Sequence, residues 1–457
     1  MSIAVELVRN IMQTPFETFD ADVVKRTKDR IIDVVGCILG GAKAPGCSML
    51  IELVREWGGK KECTILAHGV KCSAPHAAMV NSVMARSYDF EACNPFVDGK
   101  AYPGHLSGTT VPTTIVVAEQ KKASGKDLLT ALILGDDLAA RINAASNFTL
   151  DTGWDCTGTV NSFGATAIAG KLWGLDEHQM LNAFGIVINQ LAGTMQNIFD
   201  GAHTFKLPQG LAAQAGIFSA ALARKGFTGV KDPFLSKHGY FSLYCRTYQP
   251  EILTKDLGKK FYSDVTLKLY PTCRVTHGAI DCALELVRTN EIKPEDIDEV
   301  IVDITPAGRD FAVGQPFRIE EVIQARAAFS FQYTVANALL RKSVKLEHFT
   351  EESIRDPKMM GLVNRIKLNT SIFPETRHVA AVKVKMKQGK EYEKRVDVAK
   401  GIEPFAPLTP AEKKEKFINN VTFSKIVPLE KAEKALSLLE RIEEVDNITK
   451  IIKLLVA

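Results

Sequence analysis

One histidine, His105, stands in the stretch "YPGHLSGTTVP" between two glycines and ahead of three hydroxyl residues, just before the apolar run "TTIVVA". Glycines on either side allow a substrate to come close, and the dipole of a helix starting there would depress the imidazole pKa. A neutral imidazole near pH 7 is what a general base requires. A capping histidine has the same local look, so the reading depends on what else the chain brings to the place. The stretch "ARSYDFEACN" offers Asp89, two residues before Glu91, as a carboxylate able to orient or charge-balance His105.

Further groups fit the same chemistry. Lys206, in "DGAHTFKLPQGLAAQAG", falls between two predicted helices, where a lysine can hold a carboxylate or stabilise a developing enolate. "KLYPTCRVTHGAIDCALELV" carries Lys268, Arg274 and His277 within ten residues; the planar fork of Arg274 suits a carboxylate, and Lys268 adds a point charge. Tyr333, in "ARAAFSFQYTVANALL", lies in an apolar segment and needs a partner for its hydroxyl. Lysine, arginine and histidine with few acids describe a pocket for a small di- or tricarboxylate. Proton removal beside a carboxylate builds negative charge that such cations stabilise.

The elements that must position these groups follow from periodicity. Over residues 22–40, Val23, Val24, Thr27, Ile31, Val34, Val35 and Ile38 recur at helical spacing and predict an amphipathic helix ending at Gly40 and Gly41. Between 73 and 226 the helical patterns are rich in Ala and Gly and poor in charge, which predicts helices buried against helices. The period then changes. Val300, Val302 and Ile304, and later Val382, Val384 and Met386, alternate with polar neighbours and predict strands, the second turning at "KQGK" into a hairpin that returns through Tyr392 to Val398. Helices are expected at 274–289 and 320–342. After "PFAPLTP", Thr409 is a cap with Pro410 at the first helical position, and Ala432, Ala435, Leu436, Leu439 and Ile442 form a last apolar stripe. The expected architecture is mainly α: an all-helical domain over 1–264, a smaller α+β lid over 265–402, and a helical segment over 403–457 that rejoins the first domain.

Composition narrows the classes. Fifty-seven Lys and Arg against 53 Asp and Glu leave +4 over 457 residues, too little to argue for a nucleic-acid or membrane partner. Nine cysteines occur without a C-x-x-C pair and nine histidines without H-x-x-x-H, so no metal site and no cofactor are expected. No apolar run reaches the length of a membrane span and the N-terminus lacks the features of a secretory signal, which leads to the expectation of a cytoplasmic protein.

Motif for motif the chain resembles the MmgE/PrpD family, which holds 2-methylcitrate dehydratase, cis-aconitate decarboxylase and iminodisuccinate epimerase. The resemblance runs through "IIDVVGCILGG", "YDFEACN", "GHLSGTTVP", "FGATAIAGKLWGLD", "GLAAQAG", "YPTCRVTH" and "FSFQYTVANALL". It implies a helical domain with an α+β lid, a homodimer and no metal requirement. It also implies that Asp89, His105, Lys206 and Tyr333 act in catalysis, with Lys268 and His277 on the substrate. Departures from the family pattern bear on specificity. Cys93 stands where a threonine is usual, and about six extra residues separate Asp89 from His105. Asp155, two residues before Thr157 in "GWDCTG", replaces a pocket histidine, and "KLPQG" puts Gln209 where K-x-x-H-x-G has another. Arg274, Cys93, Asp155 and Thr157 join Lys268 and His277 as expected substrate contacts. The reaction expected first is that of a hydro-lyase on a small di- or tricarboxylate. The alternatives are an epimerase of a substituted succinate, a decarboxylase, and last a binding paralogue without catalysis.

Overall fold

The computed structural model describes residues 2–149, 152–319, 322–372 and 379–457. Six long helices build the first part: α1 (Ala21–Gly41), α2 (Ala74–Arg86), α3 (Ser107–Lys121), α4 (Gly125–Ala145), α5 (Cys156–Trp173) and α6 (Leu207–Arg224). A further helix, Ile3–Gln13, precedes the one predicted first. Asp20 caps α1 by accepting the Val23 N–H at 2.8 Å, and Ser124 with Asp127 forms a reciprocal capping box on α4. The apolar stripe read on α1 is half of its story. From Arg30 to Gly41 every residue is buried, because that half lies inside the bundle.

Small residues make this packing possible. A Cβ on Gly41 would come within 2.0 Å of the Met84 carbonyl oxygen of α2, and one on Gly216 of α6 within 2.4 Å of Ala165 Cβ in α5. These close approaches are the physical content of the Ala- and Gly-rich pattern.

The first part is mainly helical, with two small sheets interrupting it. One pairs Cys63–Ile65 with Val70–Cys72. The other centres on β1 (Cys93–Val97), with Lys100–Ala101 on one side and β2 (Asp264–Thr266) on the other, in the register Cys93 to Thr266 and Pro95 to Asp264. Strands of two to five residues are too short for their period to give a signal in the sequence.

The second part contains α7 (His277–Thr289), β3 (Ile297–Ile304), α8 (Phe331–Arg341), β4 (Ile366–Thr370), β5 (Ala380–Met386) and β6 (Glu391–Val396), and its sheet has the order β4-β3-β5-β6. β3 runs parallel to β4 and antiparallel to β5, and β5 and β6 form the predicted hairpin. The helix expected over 320–342 is broken. Ile323–Ala328 stops, and Ser330 turns to extended backbone and caps α8 through the Tyr333 N–H at 3.2 Å. Residues 320 and 321 of that expectation lie outside the described residues.

The last long helix, α9 (Pro410–Ser424), starts with the Thr409–Glu412 capping box and Pro410 at its first position. It lies along α1, where Lys416 Nζ meets Asp33 Oδ1 at 2.5 Å and the Phe417 ring closes on Gly36. One apolar core runs from Val34 through Val111 and Ile168 to Val300 and Val382, so the helical and α+β parts share it.

Candidate active site

Where the helical bundle meets the α+β part there is a cavity of about 410 Å3 whose polar wall includes Arg86, Asp89, His105, Asp155 and Arg274. The first two come from the end of α2. Arg86 is the last residue of that helix, Ser87 caps it, and Asp89 takes a left-handed backbone (φ 49°) that turns the chain back toward the cavity. The turn is tied from several sides. Asp33 Oδ2 accepts the Ala92 N–H at 2.9 Å, and Lys416 Nζ donates to the Phe90 carbonyl at 2.7 Å.

His105 is held by its backbone. Its carbonyl accepts from Asn161 Nδ2 at 2.8 Å and from Gln209 Nε2 at 3.0 Å. The start of α3 faces elsewhere: Leu106 sits at the cap position, and the Ser107 N–H donates to Asp264 Oδ2 at 2.8 Å.

Glu91 is the acid that orients the imidazole. His105 Nδ1 lies 3.0 Å from Glu91 Oε1, whereas Nε2 is 3.7 Å from Asp89 Oδ1. Asp89, to which the sequence reading gave that role, is bound instead by Lys268, with Nζ 2.9 Å from Oδ2 and 2.6 Å from the Asp89 carbonyl, and by Arg86. Arg86 also bridges to Glu91 at 3.0 Å and lies 3.0 and 3.2 Å from the two imidazole nitrogens.

These neighbours set the protonation states. Burial lowers the His105 pKa from its ordinary value, and the Arg86 and Lys268 charges lower it further against the pull of Glu91. Burial and the neighbouring cations thus favour the neutral imidazole. Burial works to raise the Glu91 carboxyl, but Arg86, His105 and Lys268 outweigh it and hold it well below the carboxylate range. An ionised Glu91 accepts the Nδ1 proton and leaves Nε2 as the basic nitrogen.

Asp89, Glu91 and His105 bring their donor atoms within 4.8 Å of one another, a spacing that suits a metal ion. Arg86 Nη1 already contacts all three, so a guanidinium occupies the centre of this set.

The remaining predicted residues are distributed unevenly. Arg274 lines the cavity; its Nη1 and Nη2 donate to the Lys400 and Ala399 carbonyls at 2.9 and 3.0 Å, and burial lowers its pKa. Asp155 also lines it, capping α5 through the Thr157 N–H at 2.9 Å. Cys93 is buried in β1, where burial pushes its thiol up to about 12. Lys206 is buried beside the cavity wall and donates to the Pro45 carbonyl at 2.5 Å and Ser87 Oγ at 3.3 Å, and burial lowers its pKa. His277 starts α7 and packs its ring 5.1 Å from Tyr270. Tyr333 gives its hydroxyl to the His348 carbonyl at 2.5 Å within the α+β core.

Three site residues were not assigned from the sequence. Arg86 reads there as an ordinary basic residue in a last helical turn. Glu91 stands in the sequence only as a neighbour of Asp89. Gln209, seen as a departure, reaches both the His105 carbonyl and Glu91 Oε1, the latter at 3.3 Å.

A carboxylate–imidazole pair opening on a cavity, with arginines at its wall, has the composition of a candidate acid–base site. Its family is also clear. Residues 5–253 match the MmgE/PrpD N-terminal domain and residues 270–444 the MmgE/PrpD C-terminal domain, and the chain belongs to the MmgE/PrpD family. It is 24% identical to the cis-aconitate decarboxylase-like protein oryM of Aspergillus oryzae, over 91% of this chain and 90% of that protein. It is 26% identical to the cis-aconitate decarboxylase of Aspergillus terreus, over 76% of this chain and 74% of that one. Family and relatives together point to an enzyme of the lyase type. No helix among the described residues is long and apolar enough to cross a membrane.

Proposed function

We propose that the protein is a hydro-lyase acting on a small β-hydroxy carboxylic acid, with His105 as the base. The observation that carries this reading is the Glu91–His105–Arg86 arrangement on the cavity wall. Nε2 of the neutral imidazole takes the proton α to the carboxylate, and the electron pair of the broken C–H bond moves into the carboxylate. Arg274, on the same wall, balances the charge that develops there. The Cα–Cβ double bond then forms as the Cβ–O bond breaks, and the imidazolium returns its proton to the leaving hydroxide as water. Glu91 stabilises the imidazolium in between.

The two fungal relatives favour a second reading, since both are named for decarboxylation of cis-aconitate or likeness to it. In that case a carboxylate leaves as carbon dioxide with its bonding pair left on carbon, and water gives the carbanion a proton through His105 Nε2, the hydroxide that remains being taken up by the carbon dioxide as bicarbonate.

One experiment separates these readings. A panel of carboxylic acids is incubated with the enzyme in heavy water and followed by NMR and carbon dioxide release. An alkene product with loss of water supports the hydro-lyase, whereas carbon dioxide release supports the decarboxylase. Deuterium entering recovered starting material without either product would reassign the enzyme as an epimerase.

A further inference from the structure

Gln209, the third residue of α6, is buried and does not line the cavity, yet it touches both Glu91 and His105. Its Nε2 donates to Glu91 Oε1 at 3.3 Å and to the His105 carbonyl at 3.0 Å. A backbone carbonyl and an ionised carboxylate only accept, so the NH2 end of the amide must face them, and both of its hydrogens are used. The side chain of the acid is thereby tied to the backbone of the imidazole residue.

The surroundings are built to hold this amide. Gly108, the second residue of α3, makes room for it: a Cβ there would lie 2.5 Å from Gln209 Oε1 and 2.6 Å from Nε2. Thr109 Oγ1 donates to the Gln209 carbonyl at 3.2 Å. Asn161 Nδ2, from α5, reaches Thr109 Oγ1 at 3.0 Å and the His105 carbonyl at 2.8 Å, so three helices converge on that carbonyl. Glu91 Oε1 receives Arg86, the His105 ring and Gln209, whereas Oε2 has no hydrogen-bond partner among the described residues. Each donor stabilises the ionised carboxylate and makes it a weaker acceptor of the ring proton.

We propose that Gln209 is a positioning residue for the reaction: its carboxamide holds the Glu91 carboxylate and the His105 backbone in one register, and by sharing Oε1 with the ring it limits how strongly Glu91 draws on Nδ1. The proposal rests on His105 as the base, which both readings of the reaction share. The charged groups around the ring are Arg86, Asp89 and Glu91 from the turn after α2, Lys268 from the segment before α7, and Asp155 and Arg274 on the cavity wall. A change at Gln209 alters none of their charges.

Gln209→Met keeps the length of the side chain and removes both donors. Its kcat is expected to fall about tenfold with KM unchanged, since the side chain does not line the cavity. The acid limb of kcat/KM should move up by about half to one pH unit, because Glu91 then draws harder on the ring proton. Gly108→Ala should do the same from α3, as the three atoms nearest its new methyl group all belong to the flexible end of Gln209. In the Glu91→Gln background, Gln209→Met should leave the limb where Glu91→Gln alone puts it. NMR titration of the His105 ring in the substrate-free enzyme reads the same shift apart from turnover. Wild-type titrations in both single variants overturn the proposal, and so does a fall in kcat with the limb unmoved, the mark of loosened packing alone. A shifted ring titration with an unshifted kcat/KM limb leaves the hold of Gln209 on the pair standing and sinks the reading of His105 as the base.

Discussion

Glu91 and His105, fourteen positions apart in a chain that turns at Asp89, meet through Oε1 and Nδ1 at 3.0 Å, with the guanidinium of Arg86 against both. In the proposed mechanism carboxylate and imidazole form the reactive pair, and the Arg86 charge works to lower the pKa of both. His105→Gln keeps size and some hydrogen bonding but removes proton transfer. Turnover is expected to fall by roughly two to four orders of magnitude with little change in substrate binding. Glu91→Gln should cost roughly a hundredfold in kcat, because the amide no longer stabilises the imidazolium. Steady-state kinetics on the identified substrate check both, and a normal His105→Gln enzyme would show that another group is the base.

The pH profile follows from the lowered His105 pKa. The base must be neutral, so kcat/KM should rise with pH to a plateau, its acid limb falling below the ordinary histidine value of 6.5. Glu91 is the neighbour that raises this pKa, so Glu91→Gln should move the limb to still lower pH. A limb that moves up, or stays in place, would remove Glu91 from its assigned role. The same shift bears on stability: the contribution of the neutral buried imidazole is present above pH 6.5 and is lost as pH falls below it.

Asp264 gives a prediction of opposite sign. Burial raises its carboxyl to about 8, although the Ser107 N–H works to lower it. A raised carboxyl pKa favours the folded state below the unfolded value near 4, and that advantage is lost as pH climbs toward 8. Asp264→Asn keeps an acceptor for Ser107 and cannot ionise. Its melting temperature should match the wild type near pH 4 and exceed it by several degrees at pH 8. Equal curves at pH 8 would mean that the carboxyl is ionised there without cost.

The homodimer implied by the family resemblance has two candidate surfaces. Met49, Leu53 and Trp57 stand exposed at helical spacing on Cys47–Trp57, and Leu211 and Phe218 are exposed on α6. Sedimentation should give a dimer, and Phe218→Lys should shift it toward monomer. A wild-type monomer at working concentration would discard the expectation.

How far the sequence speaks can be seen residue by residue. The Thr409–Pro410 start, the "KQGK" hairpin and the buried Ala- and Gly-rich helices are local or periodic features, and each was legible. His105 stands out as a candidate base for the same reason, because glycines and a helix start surround it in the chain. Its true partner was harder, since only the backbone turn at Asp89 decides whether Asp89 or Glu91 faces the ring. Lys268 reaches Asp89 across 179 positions, and nothing local says that its charge is spent there. Lys206 reads as a cation for substrate because it stands at the mouth of a buried helix; the Pro45 carbonyl that it meets is 161 residues away. Excess positive charge in the pocket was inferred from the cations alone, and their pairing is a matter of tertiary structure.

The bond from Lys416 to the Phe90 carbonyl spans 326 residues. During synthesis the segment carrying Arg86, Asp89 and Glu91 leaves the ribosome long before the helix that fastens it. At about 5 to 20 residues per second the wait is roughly 16 to 65 s. Through that interval three charged side chains meant for a buried site face water, and the groove on α1 that Phe417 will fill lies open. A nascent chain stalled short of α9 would be a ready client for chaperones, and loss of the last tenth of the protein would disable a reaction centre encoded near its beginning.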